Sequence, residues 1–97
     1  MSVFTQSTVP RERRVISDPN RAAVRIIADY MLRFMRNNPD AKLYEAMGRL
    51  ETKVVQFTVD GCDETTLRVS LAAALRTHTR AGLIEACHQL TAAFTDA

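Results

Sequence analysis

The chain has 97 residues, enough for one small domain and too few for two. Apolar residues make up 46% and charged residues 25%, which excludes disorder of the whole chain. The formal net charge is only +2, though unevenly spread, and no apolar run approaches 18 residues, so a membrane span is excluded.

Residues 1–17 read as a flexible arm. Thr5, Ser7, Thr8 and Pro10 are loop residues, and no helical period runs through them. The arm carries the basic cluster Arg11-Glu12-Arg13-Arg14, followed by Val15-Ile16. Residues 1–40 hold seven Arg against four acids, whereas residues 41–97 hold six basic and seven acidic residues. The positive charge is therefore gathered toward the N-terminal half. Eleven of the 13 basic residues are Arg, the residue whose planar fork suits phosphate and carboxylate.

The first helix is expected to start at Asp18, an N-cap residue followed by Pro19 at the first helical position. It should stop at Asn37-Asn38-Pro39, because the residue before proline is pushed out of the helical region and Asn tolerates a left-handed cap. Ala23, Ile26, Ile27, Tyr30 and Phe34 share one face at 100° per residue. Val24, Ala28, Met31 and Met35 widen the apolar arc to about 200°, more than one buried stripe needs. Arg21, Arg25, Asp29 and Arg36 lie opposite, with Leu32 among them.

The second helix follows Pro39-Asp40. Leu43, Met47, Leu50, Val54 and Phe57 recur with spacings of four and three, the strongest local signal in the chain. Asp60-Gly61 should end it, glycine being the usual left-handed stop. The third helix begins near Asp63 and aligns Leu67, Leu71, Ala74, Leu75 and His78. The fourth carries Leu83, Ala86, Cys87, Leu90, Ala93 and Phe94. The phase of the stripe jumps by roughly 150° between the last two. A break is therefore expected between His78 and Gly82, with Thr79 as the next N-cap. The fold expected is all-α: a small antiparallel four-helix bundle over residues 18–97 with an N-terminal basic arm. An α+β alternative places a hairpin near residues 54–71, because Val55, Phe57 and Val59 alternate, as do Leu67, Val69 and Leu71.

Catalytic signatures are sparse. Cys62 and Cys87 make no disulfide framework, which points to a reducing, cytoplasmic setting. Adjacent Cys87 and His88 do not face each other on a helix. Cys62 stands between Asp60 and Asp63, whose charge raises a thiol pKa. His78 near a helix end reads as a structural histidine, or in a third reading as the polar group of a ligand-binding bundle core. Three glycines form no phosphate-cradling loop, and Cys/His spacing fits no metal site. The expectation is a non-enzymatic protein with no cofactor and no metal, acting by protein–protein recognition as a regulator, adaptor or inhibitor. Self-association, with a dimer favoured, is expected through apolar residues left over from the core: Val24, Met31, Leu32, Met35, Tyr44 and Val55. The alternative is a nucleic-acid-binding regulator that engages phosphates, or an acidic partner, with Arg11, Arg13, Arg14, Arg21, Arg25 and Arg36.

Overall fold

Three side-chain caps set where the chain turns helical. The computed structural model describes residues 18–94, so the basic arm lies outside the described residues. Asp18 Oδ1 accepts the N–H of Arg21 at 3.1 Å and opens α1 (Pro19–Asn37). Asp63 Oδ2 accepts the N–H and the hydroxyl of Thr66 at 2.8 and 2.7 Å and opens α3 (Glu64–Ser70). Thr79 Oγ1 accepts the N–H of Gly82 at 2.9 Å and opens α5 (Arg80–Ala93). Each cap satisfies one of the four N–H groups that a helix start leaves unpaired. Between them stand α2 (Leu43–Val59) and the single turn α4 (Ala72–Leu75). At the start of α2 Glu45 Oε1 accepts the backbone N–H of Lys42 at 2.8 Å, half of a capping box.

The helix ends are equally local. Gly61 takes φ +113, the N–H of Cys62 reaches the Phe57 carbonyl at 2.9 Å, and that of Gly61 reaches Thr58 at 3.1 Å. This is the Schellman closure that a glycine after a helix makes cheap. Asn38 departs from expectation: its φ is −132, extended and not left-handed. Pro39 imposes that conformation on its predecessor. The Asn38 amide compensates by donating to the Phe34 carbonyl at 2.8 Å.

The fold is all-α, and among the described residues there is no strand. The hairpin near residues 54–71 is corrected. Residues 54–59 complete α2, and 64–70 form α3. The Schellman turn between them uses the residues a hairpin loop would need. The expected third helix is interrupted at Leu71, giving α3 and α4 as one bent limb.

Orientation follows from contacts at both ends of α1. Arg21 meets Ala93 and Arg80 meets Met35, so α1 and α5 run antiparallel. Tyr30 meets Arg49 and Asn20 meets Asp63, which sets α2 antiparallel to α1. Arg68 meets Glu51, which sets α3 back against α2. Helix α1 packs on α2, α3 and α5 and is the centre of the bundle. Its fully buried side chains are Val24, Ile27, Ala28 and Met31, with Ala23 and Met35 almost so. They pack with Ala46, Leu50 and Val54 of α2, Leu67 of α3, Leu71, Ala74 of α4, and Leu83, Cys87 and Leu90 of α5. Each large side chain buried in this way contributes about 1.5–3 kcal/mol of transfer free energy.

The buried stripe of α1 is therefore displaced from the one expected. It centres on the Val24, Ala28, Met31 and Met35 side, while Ile26 is 50% exposed and Tyr30 and Phe34 are half-buried. Being flanked by three other helices, α1 uses its wide apolar arc inside the chain.

Candidate functional site

That packing corrects most of the expected interface. Val24, Met31 and Met35 are 0–2% exposed, so they belong to the chain's own core and cannot meet a partner. Leu32 is half-buried against that core. Tyr44 and Val55 remain, at 70% and 52% exposure, and Val59 joins them at 79%. All three lie on the outer face of α2, away from Ala46, Leu50 and Val54. At 100° per residue Tyr44, Gly48, Val55 and Val59 fall within about 60° of one another. Gly48 stands in the middle of this face, and a β-carbon built there meets nothing within 4 Å. Nothing inside the chain requires a glycine at Gly48. The face is helical and exposed; Glu51, paired with Arg68 of α3, lies on the same side between the apolar residues, and the glycine stands where a neighbouring helix could approach closely.

The expected phosphate contacts divide three ways. Arg11, Arg13 and Arg14 lie outside the described residues. Arg21 is part of the α1–α5 seam: it donates to the Ala93 carbonyl at 3.1 Å, and its guanidinium lies 4.8 Å from the Phe94 ring centre. Arg25 and Arg36 are exposed on α1. Arg36 borders a shallow recess with Leu32, Met35, Ile84 and His88.

A second surface was not legible as a unit in the sequence. Tyr30 and Phe34, one turn apart on α1, stack with ring centres 6.4 Å apart. From α2 the Arg49 guanidinium lies 5.0 Å above the Phe34 ring and donates to the Tyr30 hydroxyl at 3.1 Å. Lys53 Nζ lies 4.5 Å above the Tyr30 ring. Arg33 and Asn37 border the same open groove. Spacings of four in both helices were visible, but nothing in a periodic pattern pairs α1 with Arg49 and Lys53.

The groups that carry nucleophilic and acid–base chemistry are placed apart. Cys87 is buried in the core, and burial pushes its thiol up to about 11. Cys62 is half-buried 3.6 Å from the Pro19 carbonyl; burial, then Asp60 and Asp18, push its thiol up as well. Both are free thiols. His78 corrects its expected place: it is exposed in the link 76–79, beyond the end of α4, and lines no core. His88 is exposed on α5. The hydrogen bonds of Thr66 hold the Asp63 carboxylate below its usual range. Among the described residues no group of three or more His, Cys, Asp or Glu is placed to hold a metal ion. No described helix is long and apolar enough to cross a membrane. No protein-family model, curated protein or solved structure matches this chain.

Proposed function

We propose that this chain acts by protein–protein recognition, without catalysis, and that it self-associates through the outer face of α2. The observation that carries the reading is the exposed run Tyr44, Val55 and Val59 around an otherwise unexplained Gly48. Large apolar side chains left in water on one helix face favour a covering partner. The pattern is self-complementary. Two α2 helices laid antiparallel bring Tyr44 of one copy against Val59 of the other, and Gly48 against Val55. An isologous pair of this kind is the commonest symmetric assembly. One helix pair of α2's length, about 25 Å by its rise per residue, covers less than a standard interface. The expected dissociation constant is therefore in the range of about 1–100 μM.

Sedimentation equilibrium across roughly that concentration range tests the reading. The wild-type chain is expected to pass from monomer to dimer. Val55→Glu is expected to stay monomeric with an unchanged circular dichroism spectrum, since Val55 makes no core contact. A wild-type chain that is monomeric throughout would remove self-association.

A further inference from the structure

We propose that the groove between α1 and α2 binds an acidic peptide segment through Arg33, Arg49 and Lys53. This goes beyond self-association and rests on a different surface. Measured from the centre of the face that holds Tyr44, Gly48, Val55 and Val59, Arg49 stands about 110° and Lys53 about 150° around α2. The inference starts from unspent charge. The carboxylate ion pairs among the described residues belong to Arg68, with Glu51 and Glu64 at 2.9 Å. Arg33, Arg49 and Lys53 have no described carboxylate within 4.0 Å. A guanidinium has five N–H donors, and Arg49 gives one of its nitrogens to the Tyr30 hydroxyl. The remainder, with the ammonium of Lys53, is open to an incoming acceptor.

The cations are also held in place. Stacking over Phe34 holds Arg49 on the groove wall, and stacking over Tyr30 holds Lys53 next to that lining residue. A ligand therefore has less side-chain freedom to freeze on binding. Arg33 stands on the α1 side of the same groove, about 390 Å³ in volume, with the Asn37 amide beside it. Two facing guanidinium groups suit carboxylates carried on an extended segment. The polar amide suits that segment's backbone, and the partly exposed Tyr30 and Phe34 that line the groove suit an apolar side chain between the acids.

A peptide fits better than a nucleic acid. The cations cover the Tyr30 and Phe34 ring faces, so these rings are poor platforms for base stacking.

The test is fluorescence anisotropy of the full chain with a labelled nonapeptide of alternating Glu and Leu, at about 50 mM and about 300 mM salt. Binding in the range of about 10–100 μM at low salt is expected, weakening about tenfold at the higher salt. Arg33→Gln is expected to weaken binding about threefold, and Arg49→Gln with Lys53→Gln about tenfold or more. Arg33 is exposed and makes no described side-chain bond, so its variant keeps the test valid even if the double variant unfolds. Absence of binding at low salt overturns the proposal, as does binding that all three substitutions leave unchanged. Displacement of the peptide by an equal concentration of single-stranded or duplex DNA also overturns it in favour of nucleic acid. The peptide result stands or falls whether or not the chain dimerises, because Val55→Glu is expected to bind it as the wild type does.

Discussion

The side-chain oxygen of Asn20 accepts the backbone N–H of Asp63 at 2.8 Å, joining the first turn of α1 to the start of α3 across 43 residues. Asp63 at that moment uses its own carboxylate to cap α3. One short link thus holds two helix starts. Asn20→Ala removes the acceptor while both backbones stay in place. We expect a loss of about 1 kcal/mol, measured as a lower urea midpoint with an unchanged slope.

The Asp63 cap also makes stability depend on pH. Bonds from the Thr66 hydroxyl and N–H favour the ionised carboxylate, so its folded pKa lies below the unfolded one. The stabilisation is therefore present above the unfolded value and is lost as pH falls through the folded value. Asp63→Ala should be less stable than the wild type at neutral pH. The gap in urea midpoint should close as the pH is taken from about 5 to about 2. A gap that stays constant over that range would mean that the carboxylate charge does not matter to the cap.

Core substitutions on α1 test which of its two apolar arcs is inside. Met31 is fully buried and Ile26 is half exposed. Met31→Ala should cost about 2–5 kcal/mol, and Ile26→Ala distinctly less. Met35→Glu should unfold the chain, because it puts an unpaired charge at a position that is 2% exposed. Circular dichroism with urea titration separates these outcomes.

The three glycines should respond in three ways. Gly48→Ala fills open space in a helix interior and should stabilise the fold by about 0.5–1 kcal/mol. In the same variant the dimer should weaken, if Gly48 receives Val55 of a second copy. Gly61→Ala forces a side chain into positive φ and should cost about 1 kcal/mol. Gly82→Ala should also destabilise, although alanine is the better helix former. Its β-carbon would collide with the Thr77 hydroxyl and crowd the Thr79 hydroxyl that caps α5. Thermal denaturation of the three variants orders them.

Arg80 offers a further check. Its guanidinium donates to the Ala41 carbonyl at 2.9 Å and the Met35 carbonyl at 3.2 Å. The second of these falls in the last turn of α1, where carbonyls lack helical partners. Arg80→Ala should cost about 1–2 kcal/mol. Arg80→Lys should recover only part of it, because an ammonium lacks the fork that spans two carbonyls.

The residues that were legible in the sequence are those whose structure is local. Asp18, Asp63 and Thr79 cap helices because a short oxygen at the right place pairs with an N–H two or three residues on. Gly61 ends α2 for a reason confined to its own φ. The errors came where two answers are locally equal. On α1 both apolar arcs repeat with the same period, and the choice between them is made by α2, α3 and α5. Tyr30 and Phe34 look like core, yet Arg49 and Lys53 cover them from another helix. The break at Leu71 has the same origin. Leu67, Leu71 and Ala74 stay buried through it, so packing and not a breaker residue sets the bend.

Arg21 touches Ala93 and Phe94, so the first and last turns of the helical domain meet. The path of the backbone through residues 18–94 is nearly a closed ring. A ring has no privileged opening, and the covalent order of its helices should be interchangeable. A circular permutant that joins Phe94 to Asp18 through a short glycine-rich linker, and begins instead in the link 76–79, should keep the same helices and the same core.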